Sequence, residues 1–490
     1  MNPVWVIFII GLYFLTLIVI GRITGRDADN ESFFVGNRQS PWYVVAFGML
    51  GTSLSGVTFI SVPGYVGDTQ FSYLQLVLGY LLGYFVVANV LLPLYYRLNL
   101  TSIYTYLDSR FGFCSYKTGA AFFLISRLIG ASFRLFLVAT VLQITVFDAW
   151  GVPFIVTVLV TILLIWLYTN RGGIKTIIWT DTLQTAAMLL AVIFTIYFLA
   201  RQMDFTFVSM VQAIRDSELS RIWFFDDWND KRHFLKQFFS GAFITIVMTG
   251  LDQDMMQKNL SCRNLKDAKK NMYWYGFAFL PVNLLFLSLG VLLFIFAQQN
   301  GIVIPEQADE LFPIIATQGY LPSIVSVLFI LGIVAAAYSS ADSALTALTT
   351  SFTVDILNME GRSEQQVKRI RKRVHIAISL IMAGVIMVFK AVNDESVISA
   401  IFTVAGYTYG PLLGLYAFGL FTRYGVKDKW VPLVAVISPI ICYFLAKYSP
   451  TLFNGYEFGF ELLIVNGAIT FLGLLLLVKK GVRIKQPFIG

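Results

Sequence analysis

Apolar residues run along this chain in long, nearly unbroken stretches separated by short polar segments; 4–21, 152–168, 185–200 and 462–478 are examples. Each approaches the ~20 residues with which a helix crosses a hydrocarbon layer ~30 Å thick. The alternating segments of roughly ten residues that build outer-membrane barrels are missing. About thirteen spans meet the helical criterion: 4–22, 42–66, 71–97, 117–147, 152–169, 175–201, 234–259, 272–299, 322–353, 374–391, 396–422, 430–447 and 461–479. The pattern predicts an all-α polytopic membrane protein, residues 1–490 forming one transmembrane domain. The connections 202–233, 300–321 and 354–373 are the longest. The first carries Trp223, Phe224, Phe225 and Trp228 among charges, which predicts an interfacial amphipathic element. The last is a charged, helix-like loop.

Two spans are interrupted. Gly48, Gly51 and Gly56 mix with Thr52, Ser53, Ser55 and Thr58 in the second span, and Thr249-Gly250-Leu251-Asp252-Gln253 interrupts the seventh. Non-helical backbone is tolerated at membrane depth only where it is buried in protein or lines a cavity. The two interruptions lie five spans apart, the placement expected of two inverted repeats with a binding site between them.

Composition and charge sharpen the class. Of 490 residues 57% are hydrophobic and 13% charged, and mean hydropathy is +0.73; soluble domains carry about 25% charged residues. The first span has no basic segment before it, and Arg22 and Arg26 follow it, so it is expected to be a retained helix with its N-terminus outside. On that orientation most of the 36 Lys and Arg fall in cytoplasmic segments, which supports N-terminus out and C-terminus in. The net charge of +8 needs no nucleic-acid partner, because a basic face against anionic lipid explains it. No segment points to an obligate protein partner. Cys114, Cys262 and Cys442 are scattered and form no disulfide or metal framework.

The ninth span carries the most informative polar run. Ala336, Ser339, Ser340 and Ser343 recur at i, i+3, i+4 and i+7 on one helical face, with Asp342 beside it. Neutral hydroxyls with backbone carbonyls suit a hard monovalent cation such as sodium. Small residues also serve tight helix packing, but that does not account for Asp342. A carboxylate at mid-membrane costs at least ~2.5–3.5 kcal/mol, so a functional role is the default. Asp181, flanked by Thr180 and Thr182, is a second such group, with Lys175 or Arg171 as interfacial alternatives. Asp252 either pairs with Lys258 or faces the solute.

Four runs in order, Gly172-Gly173-Ile174-Lys175…Trp179-Thr180-Asp181…Gln184, Asp252-Gln253-Asp254-Met255-Met256-Gln257-Lys258, Ala336-Ala337-Tyr338-Ser339-Ser340 and Ala405-Gly406-Tyr407…Gly410-Pro411-Leu412-Leu413-Gly414, resemble the sodium:solute symporter family. The segments 98–112 and 147–151 are nearer its monocarboxylate, multivitamin and iodide branch, and the bacterial sialic acid members, than its glucose branch. The resemblance implies a LeuT-type five-plus-five inverted repeat: an extra helix at 4–22, repeats at 42–201 and 234–422, and two further helices at 430–479. It also implies sodium as the coupling ion, a cell-membrane location and, from the bacterial members, an inner membrane. One sodium would lie on the carbonyls of Gly51, Leu54 and Ala336 and the hydroxyls of Ser339 and Ser340. A second would use Asp181, Ser339, Asp342 and Ser343; Asp342 stands where the sialic acid transporters have serine, which favours either a tighter ion or a proton.

The solute is expected against the first interruption, at Ser53, Ser55 and Thr58, with Gln75, Asp252 and Gln253 near. Arg127 and Arg134, seven apart, share a face of the fourth span. A buried Arg pairs with an acid or an anionic ligand; Asp181 and Asp342 are the acids at hand. An Arg left free fits an organic anion, a carboxylate or an acidic sugar such as sialic acid. Neutral sugars or polyols, and a sodium-dependent solute sensor, are the alternatives. No Ser/His/Asp set or metal cluster in the spans supports an enzyme, and nothing resembles a channel filter.

Overall fold

The computed structural model describes residues 3–26, 29–359, 361–392 and 397–483. Their backbone is helical nearly throughout, because apolar segments in lipid must satisfy every amide and carbonyl internally. The departure from all-α is a short antiparallel ribbon, Tyr424–Val426 with Val478–Arg483. It ties the C-terminal segment to the turn after the helix Val397–Phe421.

Among the described residues seven helices are long and apolar enough to cross a membrane. The pair Phe234–Gly250 and Gln253–Leu260, bent by 64°, makes an eighth if it is one span. Phe8–Thr24, Phe154–Leu167 and Leu462–Leu476 are apolar but shorter. Several of the about thirteen expected spans are thus short or broken rather than straight crossings. The expected second and third spans also join differently. Residues Gly56–Arg97 form one nearly continuous helical run, turning at Gln70, whose φ is +56°.

The first break falls at Leu54 and Ser55. The helix Trp42–Ser53 stops, Ser55 is extended (φ −67°, ψ 177°), and the helix Gly56–Thr69 begins. The segment Trp42–Ser53 lies close against the helix Ile174–Gln202. A Cβ on Gly51 would sit 2.1 Å from Thr185 Oγ1, so glycine is what permits the contact. Gly173 starts that helix at φ +52°, ψ −133°, where a Cβ would meet the Phe33 ring at 2.5 Å. Ile174–Gln202 in turn packs along Ser323–Ser351, whose Ala335, Ala336, Ala337 and Ala341 are buried and let the two backbones approach.

The second break follows a π-helical turn, Ile246–Gly250, and lies at Leu251 and Asp252. Its freed backbone groups are not left bare. Tyr95 donates to the Gly250 carbonyl (2.8 Å) and Tyr104 to that of Leu251 (2.9 Å). Asp252 caps the inner helix Gln253–Leu260 by accepting from the amides of Asp254 and Met255. In the connection at 202–233, the helix Phe207–Asp216 exposes Phe207, Val208 and Val211, as an interfacial element would.

Candidate functional site

The first break brings its polar residues against the serine-bearing helix Ser323–Ser351. Ser340 Oγ donates to the Thr52 carbonyl (3.0 Å), and Ser339 Oγ donates to Asp181 Oδ1 (2.6 Å). At the break itself no described amide or side chain donates to the carbonyls of Gly51 and Leu54. Ser340 thus meets the last turn before the break, where Gly51, Leu54 and, on the serine-bearing helix, Ala336 and Ser339 are all buried.

Asp181 lies at the centre of a second, connected group. Thr52 Oγ1 donates to its Oδ2 (2.9 Å), and Lys258 Nζ lies 2.6 Å from the same oxygen and also donates to the Thr52 hydroxyl. Four elements meet here: Trp42–Ser53 and Gln253–Leu260 from the two broken helices, Ile174–Gln202 and Ser323–Ser351. All of these side chains are buried, Lys258 and Asp181 to 1% and 0% exposure. Of the two readings open for Asp252, pairing with Lys258 is not what the structure has, because Lys258 meets Asp181 instead. A lone lysine inside an apolar span is itself the signal of an intramembrane partner. Asp342 and Ser343 lie on the same helix and are buried. The Ser343 and Thr346 hydroxyls make no hydrogen bond among the described residues.

Beside the first break is a cavity of ≈ 100 Å³. Ser53, Ser55 and Thr58 line it, as do Arg127, Arg134, Thr245, Thr249 and four tyrosines: Tyr73, Tyr80, Tyr84 and Tyr275. Ser53 Oγ and Tyr275 Oη are 2.5 Å apart, and Tyr84 Oη donates to Tyr275 Oη at 3.0 Å. Nothing in the periodicity of the chain singled out these tyrosines, because each sits on an ordinary apolar helix.

The two arginines differ. Arg127 is ion-paired with Asp254 and lies 3.7 Å from Asp252 Oδ2, which also accepts from Tyr409. The acids expected for it, Asp181 and Asp342, are on other elements, and Asp181 has taken Lys258 instead. Arg134 reaches the cavity, is partly exposed there, and makes no hydrogen bond or ion pair with a described residue. Three residues expected near the solute are held elsewhere. Gln75 bonds the Arg232 carbonyl (2.8 Å) and the Phe224 amide (3.3 Å), anchoring the 202–233 connection. Gln253 bonds the Ile103 amide (3.0 Å) and the Thr101 carbonyl (2.8 Å). Asp252 is the helix cap and the partner of Arg127. None of the three lines the cavity, since each satisfies backbone that the breaks and loops would otherwise leave unpaired.

The sequence matches the profile of the sodium:solute symporter family over residues 33–425. The chain belongs to that family. It is therefore a multi-pass membrane transporter and not an enzyme. Among known relatives, the sodium/sialic acid symporter of Proteus mirabilis is 26% identical over 465 residues, covering 91% of this chain and 90% of the relative. The sodium/sialic acid symporter of Aliivibrio fischeri is 26% identical, covering 85% of this chain and 83% of the relative. The human sodium/iodide cotransporter is 24% identical, covering 84% and 65% respectively. A solved Na+-coupled sialic acid symporter, in a substrate-bound outward-open state, superposes with a TM-score of 0.82 at 19% identity, covering 97% of this chain and 99% of that one. A nucleobase-cation-symport-1 transporter gives 0.54 at 13% identity, covering 90% and 92%. These likenesses show a common transporter fold.

Proposed function

We propose that the protein imports a small organic anion, a carboxylate or an acidic sugar, together with sodium by alternating access. The observation that carries this is Arg134. It lines the cavity without an ion pair to a described carboxylate, and its backbone carbonyl lies 3.9 Å from where a Gly56 Cβ would be, at the start of the helix Gly56–Thr69. That helix has no side-chain cap, so its first amides and its positive dipole end also face the solute. A carboxylate placed there gains a bidentate charge-assisted pair and helix amides together. Ser53, Ser55, Thr58 and the tyrosine hydroxyls then supply hydrogen bonds for the rest of the molecule. The sialic acid symporters among its relatives favour an acidic sugar over a simple carboxylate.

Sodium is cargo as well as coupling ion. It binds on the carbonyls of Gly51, Leu54 and Ala336 and the hydroxyls of Ser339 and Ser340, one wall on the first broken helix and the other on Ser323–Ser351. An ion there fixes the break, and with it the orientation of Gly56–Thr69 and its amides, in the form that accepts solute. This is how sodium binding raises solute affinity. The full architecture we assign is thirteen spans, ten of them in two inverted repeats, 42–201 and 234–422, with N-terminus outside and C-terminus in the cytoplasm of a cell, the bacterial inner membrane being its setting. The test is a thermal-shift screen of acidic sugars, carboxylates, vitamins and neutral sugars, with and without sodium, followed by labelled uptake into proteoliposomes. Sodium-dependent stabilisation and uptake of an anion supports the reading. Stabilisation by neutral sugars alone overturns the anion assignment, and binding without counterflow overturns transport in favour of a sensor.

A further inference from the structure

Asp181 has no coordination left for an ion. Its Oδ2 accepts from Lys258 Nζ at 2.6 Å and from Thr52 Oγ1 at 2.9 Å, and its Oδ1 accepts from Ser339 at 2.6 Å. The Gln184 amide, oriented with its nitrogen towards the acceptors around it, adds a bond to Oδ1 at 3.3 Å. The nearest positive charge to this carboxylate belongs to the protein, and it is carried on the inner half of the second broken helix, Gln253–Leu260.

Charge balance leads to the same place. Asp181 and Asp342 are two buried carboxylates, and Lys258 interacts electrostatically with both. At Asp181 the ammonium of Lys258 already supplies the positive charge that a buried carboxylate requires. The neighbouring first site, built on Gly51, Leu54, Ala336, Ser339 and Ser340, contains only neutral ligands. A sodium ion added beside Lys258 at Asp181 would set two cations against one buried carboxylate, which low-dielectric surroundings penalise strongly.

We infer that the Lys258 ammonium is a built-in cation that takes the place of a second sodium at Asp181, so that the protein couples one sodium ion to each solute molecule. This rests on the symporter reading above. Lys258 also joins both broken helices to Ile174–Gln202 through Thr52 and Asp181. The charge that another design takes from solution is thus supplied by the chain, at a distance set by packing. For a monoanionic solute, the consequence is electroneutral transport: one sodium and one negative charge move inward together.

The decisive measurement is equilibrium binding of radiolabelled sodium to the purified full-length chain in lipid nanodiscs, with the solute found in the screen present. Wild type is expected to bind one ion per chain. Lys258→Met removes the ammonium, leaves the Asp181 carboxylate without its cation, and is expected to bind two. Lys258→Met combined with Asp181→Asn restores the charge balance and the count of one. A wild-type count of two overturns the inference while leaving the symporter reading intact. A count of zero overturns the symporter reading, and the inference falls with it. If Lys258→Met does not fold, the wild-type count decides alone, supported by Lys258→Arg, which keeps the positive charge and is expected to bind one.

Discussion

The hydroxyl of Ser340 donates to the backbone carbonyl of Thr52 across 3.0 Å, joining the middle of one unbroken helix to the last turn before a break in another. The hydroxyl and the break belong to parts of the chain 288 residues apart. On the sodium site proposed above, ion affinity and the shape of the cavity are expected to be coupled through this junction, because Ser53 and Ser55 on the cavity wall adjoin the same turn.

Replacing Ser340 with alanine is expected to raise the sodium concentration for half-maximal uptake by about tenfold, which corresponds to the loss of ~1.4 kcal/mol of ion binding. Solute affinity at saturating sodium should change far less. Uptake into proteoliposomes across a sodium series measures both, and an unaltered sodium dependence would rule out the first-site assignment.

Arg134→Gln is expected to weaken the anionic solute by at least about a hundredfold, since a charge-assisted bidentate pair is lost. Arg134→Lys should recover part of that affinity, because the charge remains while the planar fork is gone. Thermal-shift titration of each variant in saturating sodium gives the comparison. Equal affinity in wild type and Arg134→Gln would place the solute elsewhere.

Asp181→Asn leaves the Lys258 ammonium buried without its counter-charge, a change that costs ~3–5 kcal/mol in comparable buried pairs. A clear fall in melting temperature in nanodiscs is expected. The double variant with Lys258→Met should recover most of it, because the stranded charge goes as well. If Asp181→Asn melts with wild type, the pair contributes nothing to stability.

Gly51→Ala tests the close approach of the first broken helix. The added methyl meets Thr185 Oγ1 at 2.1 Å, and Thr185 is held by its bonds to the carbonyls of Phe47 (3.1 Å) and Asp181 (2.7 Å). A loss of ~1–3 kcal/mol is expected from overpacking, with partial recovery when Thr185→Ala is added. Melting curves of the single and double variants check it; an undiminished melting temperature in Gly51→Ala would mean that the helices separate freely at this contact.

How much was legible from sequence follows the range of the interaction concerned. The breaks were visible because glycine and hydroxyl residues inside an apolar span are a local signal, and they fall where that signal lies, at Leu54–Ser55 and Leu251–Asp252. Helical periodicity likewise placed Ser339 and Ser340 on one face. The partners of the charged groups were not visible in the same way. Asp181 and Lys258 are 77 residues apart, and Arg127 finds Asp254 on a different span. Gln75 and Gln253 looked like solute ligands because buried amides are uncommon in apolar spans, yet both serve loop backbone.

The sequence by itself determined the class of the protein, its family, the two interruptions and the serine face, since hydropathy, glycine content and a 3.6-residue period are written in neighbouring positions. Only the tertiary structure decided which acid meets which base, and which of the two cavity arginines is ion-paired. Periodicity states which side chains share a face of a helix but not what that face is turned towards. An ion pair such as Lys258–Asp181 depends on that orientation to within an ångström.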